Sequence, residues 1–243
     1  MKKKALSVHP AVLAVWSAVL AVASLLPSIP IIGLGSSFSV STGLYPLAGM
    51  FFGPIPGAVC AAIGAALGML IAPHTAWMGM ATFLIGTVSA FAAGCVSRGK
   101  TFVIPVGILA VCGGLWFTFE IGRAAPMFPV VFYGFGVLAC VAGGFLAKKN
   151  LTGGNMALKI VSVWLCAVAG MVTTASWANL VTLVLFQTPA TVWNVLVFTS
   201  PVERACFAVG TTIIGVPLLV GLPKTGIAVG PPSLEGDEAE LPM

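Results

Sequence analysis

Long apolar runs recur along the whole chain and decide what it can fold into. Several stretches of about 18 or more residues carry almost no charge, the length that an α-helix needs to cross the hydrocarbon core of a bilayer. Of the 243 residues, 59% are hydrophobic and 7% are charged, whereas soluble domains hold about 25% charged residues. The mean hydropathy is +1.10. These values exclude a water-soluble globule and predict that lipid is the main solvent.

The apolar runs divide into about eight predicted spans. They are residues 8–26, 38–52, 54–72, 76–96, 101–121, 126–147, 157–186 and 202–222. In lipid only helices and closed barrels satisfy every backbone polar group, and runs of this length are helical. We therefore predict an all-α integral membrane protein, a polytopic helical bundle in a single domain over residues 1–229. An acidic tail, residues 230–243, follows and is expected to be disordered.

The first apolar stretch follows Met1-Lys-Lys-Lys and allows two interpretations. A secretory signal peptide is one, since Ala21-Val-Ala23 offers small residues for cleavage. An uncleaved first helix is the other, and we favour it because the apolar character continues past Ala23 without a polar start. Both interpretations give the remaining spans the same orientation.

Basic residues indicate that orientation. With the N-terminus in the cytoplasm and the spans alternating, nine of the eleven Lys and Arg residues lie inside. These are Lys2, Lys3, Lys4, Arg98, Lys100, Lys148, Lys149, Lys159 and Lys224, and only Arg123 and Arg204 lie outside. Because cytoplasmic loops carry an excess of Lys and Arg, both termini are predicted to be cytoplasmic.

The segment Gly53-Pro54-Ile55-Pro56-Gly57 predicts a tight corner between two helices, since proline is tolerated in the first helical turn. Small residues recur around this corner at intervals of four. They are Gly49, Gly53, Gly57, Ala61 and Ala65, together with Gly64 and Gly68. This spacing lets helix backbones approach closely in lipid and predicts helix packing rather than a ligand site.

Catalytic motifs are missing from the sequence. It contains no HExxH, GxSxG or paired-aspartate motif, and no GxxxxGK[ST] phosphate loop. We therefore expect neither an enzyme nor an ATPase. The six cysteines fall singly within apolar runs without CxxC spacing, so they are predicted to be small core residues. No cofactor and no metal site is predicted.

Two charged pairs, Glu120 with Arg123 and Glu203 with Arg204, are predicted at outer ends of spans. No ionisable residue is predicted near the bilayer midplane, where an ion-coupled carrier usually places one. The pairs are either interfacial groups that extend to the headgroups or groups that face an outward-opening site.

Polar and aromatic residues of the outer side are candidates for solute binding. The Gly- and Ser-rich link from Ser28 to Thr42 is long enough to act as a lid. The candidate contacts are Ser36, Ser39, Tyr45, His74, Trp77, Asn179, Trp193, Asn194, Glu203 and Arg204. The alternative for the tryptophans is an interfacial aromatic belt. Together these side chains suit a small, partly aromatic or polar solute.

Three segments resemble a known family. The stretch from Phe38 to Gly68, with its Gly-Pro corner, is similar to the second and third helices of the substrate-binding S-components of energy-coupling-factor (ECF) transporters. Ala14-x-x-x-Ala18 resembles the AxxxA element by which S-components pack on the coupling subunit. Phe91-Ala-Ala-Gly-Cys-Val-Ser-Arg-Gly-Lys resembles the family's glycine-containing fourth helix with its basic turn.

The resemblance implies a six-helix core and a function. About eight spans exceed that core, so residues 101–147 are interpreted as an additional helical hairpin. The implied protein captures a vitamin or similar micronutrient at the outer face of a prokaryotic cell membrane. It docks, through Ala14 and Ala18, on a coupling membrane subunit with two ATPases that drive import.

Two other classes of function stay open. A self-sufficient carrier or channel predicts an inverted repeat with matching breaks in the two halves, and the sequence shows no convincing one. A membrane enzyme or a scaffold without solute is the other, and clustered acids or metal ligands would indicate the enzyme.

Overall fold

The computed structural model describes residues 9–26, 29–30, 37–38, 41–151, 153, 155–227 and 229–230. These residues form nine α-helices, which we number along the chain. They are α1 (Pro10–Ala23), α2 (Ser41–Phe52), α3 (Pro54–Ile71), α4 (Phe83–Ser97), α5 (Val103–Trp116), α6 (Glu120–Ala124), α7 (Met127–Asn150), α8 (Met156–Phe186) and α9 (Ala190–Gly221). Short 3₁₀ segments lie at Pro73–Thr75, Gly79–Thr82, Lys100–Phe102 and Leu222–Thr225.

One antiparallel strand pair, β1 (Ile29–Pro30) and β2 (Ser37–Phe38), lies between α1 and α2. Ile29 is opposite Phe38, and Pro30 is opposite Ser37. Residues 29–30 and 37–38 therefore run side by side in opposite directions before α2 begins.

The helices confirm the predicted all-α polytopic membrane fold. Eight of the described helices correspond to the eight predicted spans, and the five-residue α6 lies between α5 and α7. Five helical stretches are long and apolar enough to cross a membrane. They are Pro54–Ile71, Gly79–Ser97, Met127–Asn150, Met156–Phe186 and Ala190–Thr225.

The predicted start of the last span, residue 202, is wrong. Helix α9 begins at Ala190 and runs for 32 residues, with Pro201 and Pro217 inside it. Pro201 and the polar residues before it lower the local hydropathy, so the sequence there resembles the start of a helix. Proline is tolerated within helices of membrane proteins because neighbouring groups satisfy the freed backbone carbonyl.

Small residues allow close packing around α2, as the spacing predicts. Helix α2 is buried along its whole length and contacts α3, α4, α8 and α9. A Cβ on Gly49 would collide with the carbonyl group of Ala90 in α4, and one on Gly57 would collide with the backbone of Ala48. The small side chains are thus required by helix approach.

The predicted Gly-Pro corner joins α2 to α3. Gly53 has φ 89°, a conformation that L side chains rarely adopt, and Pro54 is the first residue of α3. Gly94 of α4 packs against this corner, where its Cβ would lie 2.7 Å from Pro54 Cα.

The helices run in alternating directions, so successive connections lie at opposite ends of the bundle. We call the end that holds Gly53 and Pro54 the corner end. A Cβ on Gly99 would lie 3.4 Å from Lys148 Cβ there, and the backbone N–H of Gly230 donates to the Phe51 carbonyl oxygen at 2.8 Å. The opposite end holds the 73–82 link, α6 and the turn between α8 and α9.

Five of the six cysteines are buried as predicted, and all six are free thiols. Cys206 is the exception, because its position on α9 faces outward and leaves it exposed. The Ser17 hydroxyl donates to the Cys60 carbonyl oxygen at 3.0 Å, which ties α1 to α3.

Candidate ligand-binding site

A cavity of about 340 Å³ lies between α7, α8 and α9. Residues near the end of α8 and the start of α9 line its upper part, so the cavity reaches the end opposite the corner. The lining residues are Thr42, Trp77, Ile85, Phe128, Phe132, Met171, Thr174, Ala175, Ala178, Asn179, Thr182, Phe186, Thr188, Trp193, Leu196, Ser200, Glu203 and Arg204. Its size falls in the range of sites for small organic molecules.

Two helix faces form the long walls. Trp193, Leu196, Ser200 and Arg204 on α9 are spaced by three, four and four residues, so they share one face. Lining residues from Met171 to Phe186 follow the same periodicity on α8. Because a helix rises about 1.5 Å per residue, the α8 wall is about 22 Å long.

Aromatic rings form the wall beside α7. The Trp193 ring centroid lies 5.0 Å from that of Phe128, and the Phe128 centroid lies 5.4 Å from that of Phe132. The Trp193 indole N–H donates to the Thr188 carbonyl oxygen at 3.1 Å, which fixes the ring against the α8–α9 turn. At the other side Trp77 faces Phe186 with centroids 6.3 Å apart. Flat apolar rings suit the faces of an aromatic solute.

Polar groups are interleaved with these rings. The hydroxyl groups of Thr174 and Thr182 donate to the carbonyl oxygens of Ile85 and Ala178 at 2.8 and 2.9 Å. A hydroxyl oxygen keeps acceptor capacity after donating its hydrogen. Asn179 is half-buried and interacts with the Tyr133 hydroxyl group. The cavity can thus accept and donate hydrogen bonds at a few fixed points.

The two charges of the cavity lie in the middle of α9. Glu203 and Arg204 are the fourteenth and fifteenth residues of this 32-residue helix, about 20 Å from its first residue. Their predicted place at the outer end of a helix is therefore wrong. Arg204 is 8% exposed, and its guanidinium interacts electrostatically with Glu203.

Residues 7–122 match the family model described as ECF-type riboflavin transporter, S component. The match covers just under half of the chain and includes all three segments on which the resemblance rests. This match supports the predicted resemblance to the S-components of ECF transporters. No curated protein and no solved structure matches the chain. S-components are the specificity subunits of ECF transporters and are not enzymes themselves.

Most of the cavity lies beyond the matched segment. Only Thr42, Trp77 and Ile85 belong to residues 7–122, and the other lining residues come from α7, α8, α9 and the turn between α8 and α9. The family match therefore includes few of the residues that line the cavity.

Half of the predicted solute contacts meet in the cavity. Trp77, Asn179, Trp193, Glu203 and Arg204 all line it, although they come from three separate segments of the sequence. Their convergence was predicted only as a shared surface, whereas the structure places them around one cavity.

Three other candidates lie away from the cavity. His74 and Asn194 are exposed and do not line the cavity, since each lies on an outward side of its helical segment. Tyr45 is buried against Gly86, and its hydroxyl group interacts with Ser24 and Ser41. Ser36 and Ser39 lie outside the described residues.

Apart from Asn179, the sequence alone did not reveal the residues of the α7 and α8 walls. Phe128 and Phe132 belong to the predicted extra hairpin, and the lining side chains of α8 are mostly small or apolar. The available signal was their helical spacing on a 31-residue helix that is longer than a bilayer requires. Spacing of this kind also describes ordinary helix packing.

Ala14 and Ala18 are exposed on α1. The opposite face of α1 packs on α3, where Gly64 lies against Ser17 and Leu20. The two alanines share their outward face with Val15 and Val22, which are 65% and 60% exposed. A smooth apolar face of this type can be covered by lipid or by another helix.

Proposed function

We propose that this protein is the substrate-capture subunit of an ATP-driven importer and that its solute is riboflavin or a close flavin relative. The observation that carries the proposal is the aromatic cavity with a charged pair at its floor, in a chain whose first half matches an S-component model named for riboflavin. Stacked rings with a few fixed polar groups suit a flat heteroaromatic vitamin.

The cavity opens to the outside of the cell membrane in this proposal. Six basic residues lie near the corner end, opposite the cavity opening: Arg98, Lys100, Lys148, Lys149, Lys159 and Lys224. An excess of Lys and Arg marks the cytoplasmic side, which supports cytoplasmic termini and an outward-facing cavity. Solute would then enter without crossing the bilayer first.

The link from Ser28 to Thr42 is proposed as the gate. It ends at Thr42, which lines the cavity, and its β1–β2 pair provides a short backbone ladder within the link. Such a link could cover the opening after solute binds, so that the site is closed to water before transport.

Docking on a coupling membrane subunit is proposed at the exposed face of α1 around Ala14 and Ala18. Small side chains let a partner helix approach closely, and the valines beside them add apolar contact area. The partner's ATPases would supply the energy, while this chain supplies solute specificity.

Flavin fluorescence provides the direct test. Titration of the purified protein in lipid nanodiscs with riboflavin should quench the fluorescence of the bound ring, which would stack on aromatic side chains. Empty nanodiscs and the exposed-site variant Asn194→Ala serve as controls. Absence of saturable quenching in a folded preparation would contradict the flavin proposal.

The mid-helix charges favour one second candidate, a self-sufficient carrier. Ionisable groups at this depth mark ion pathways in many transporters. Uptake into liposomes separates the two functions: a carrier alone would take up solute when a proton or sodium gradient is imposed, whereas a capture subunit would require added coupling module and ATP.

A further inference from the structure

The cavity floor presents two opposite charges on neighbouring residues. Glu203 and Arg204 both line the cavity, and α9 carries them at the middle of its length. A charged pair at this depth is costly to desolvate, so it is rarely kept for stability alone. The remaining floor residues include Met171, Thr174 and Ser200, none of which is charged.

The charges restrict which end of a ligand can reach the floor. An apolar end would displace the water that hydrogen-bonds to both charged groups and would offer no hydrogen bond in its place, which is unfavourable. An anionic end would meet the Glu203 carboxylate, and a cationic end would meet the Arg204 guanidinium. A neutral group that offers an acceptor beside a donor satisfies both residues, because guanidinium only donates and carboxylate only accepts.

The cavity has space for a flat ring system above this floor. Trp193 and Arg204 share one face of α9 and are eleven residues apart, so about 16 Å of helix separates their backbones. Leu196 lies between them, and Phe132 lines the cavity from α7. A planar ligand can therefore rest against apolar side chains while its polar edge reaches the charges.

We infer that Arg204 and Glu203 recognise the cyclic imide edge of a flavin ring, which enters the cavity first. Arg204 donates to a ring carbonyl oxygen, and Glu203 accepts from the imide N–H. The polar side chain of the flavin then lies toward the opening. This inference rests on the proposed function, because it names how that same cavity selects its ligand.

Methylation of the imide nitrogen tests the Glu203 contact. 3-Methylriboflavin keeps the ring and the side chain but has no imide N–H to donate. We expect it to bind the wild-type protein at least about tenfold more weakly than riboflavin, the size expected for a lost hydrogen bond to a charged group. The methylation penalty should nearly vanish in Glu203→Ala and be intermediate in Glu203→Gln, which keeps an acceptor oxygen.

Comparison of the two ligands separates recognition from folding. If Glu203 has a purely structural role, its replacement should weaken the binding of both ligands equally and leave the methylation penalty unchanged. That result would overturn the inference. Asn194→Ala, an exposed site on the same helix, should keep the full penalty. Thermal unfolding of each variant confirms that it is folded before affinities are compared.

Failure of the inference and failure of the proposed function give different results. If wild-type protein binds riboflavin and 3-methylriboflavin equally, the imide contact is wrong and flavin capture stands. If it binds neither ligand, flavin capture is wrong and the imide contact falls with it. Tight riboflavin binding, together with a methylation penalty that depends on Glu203, supports both flavin capture and the imide contact.

Discussion

The indole rings of Trp116 and Trp193 meet edge to face, with centroids 4.9 Å apart and planes at 88°. Trp193 lines the cavity, whereas Trp116 lies directly behind it and is 0% exposed. The Trp116 indole N–H donates to the carbonyl oxygens of Gly122 and Ala125 at 2.9 and 3.3 Å. One side chain therefore links the α5–α7 connection to the aromatic wall of the cavity.

Replacing Trp116 should disturb this wall from behind. Trp116→Phe keeps an aromatic ring but removes the indole N–H, and we expect unfolding stability to fall by about 1 kcal/mol. Riboflavin affinity should fall about twofold to tenfold, the value of one aromatic pair contact. Fluorescence titration and thermal unfolding measure the two effects. Full affinity in a destabilised Trp116→Phe variant would show that the wall does not depend on this contact.

Replacing glycines by alanine should lower the unfolding stability where the glycine packs against another helix but not where it faces open space. Gly94→Ala places a methyl group 2.7 Å from the Pro54 backbone, so α4 must move away from the corner. We expect a loss of about 1–3 kcal/mol, as for other overpacked sites. Gly107→Ala is the matched control because, apart from neighbouring atoms of its own helix, no atom lies within 4 Å of its Cβ position. Thermal unfolding should show a lower midpoint for Gly94→Ala and an unchanged or higher one for Gly107→Ala, since alanine favours helix.

The sequence predicted the helical fold well because membrane helices are recognisable by length and hydropathy alone. The corner at Gly53 and the close approach at Gly49 were also predictable, since only small residues permit them. The start of α9 was not, because Pro201 breaks a hydropathy window without breaking the helix. Because of that single error, Arg204 was predicted at the membrane surface although it lies in the middle of α9.

The site was predicted only in part because convergence depends on tertiary packing. Trp77 and Trp193 are distinctive residue types, and both line the cavity. Phe132 and Thr174 also line it, but a phenylalanine or threonine within an apolar run is common on packing surfaces. His74 shows the reverse case: imidazole is a common ligand-binding group, but the His74 side chain is exposed.

The left-handed residue at the end of α8 offers a stabilising substitution. Gln187 has φ 45° and ψ 42°, a conformation that glycine adopts without steric cost. Gln187→Gly should raise unfolding stability by about 0.5–1 kcal/mol, or the thermal midpoint by about 1–4 °C. The side chain is exposed and does not line the cavity, so riboflavin affinity should not change. A lower midpoint would show that Gln187 makes a stabilising contact which outweighs the backbone strain.

Bulky residues on the outer face of α1 should separate solute capture from transport. We expect the double variant Ala14→Leu with Ala18→Leu to abolish ATP-driven uptake in cells or liposomes that contain the coupling module, because the partner helix can no longer approach closely. Riboflavin binding by the isolated variant should stay within about twofold of wild type, since neither residue lines the cavity. Ala157→Leu, an exposed alanine at the start of α8, is the matched control and should transport normally. Loss of binding in the double variant would contradict the docking assignment, and so would normal uptake.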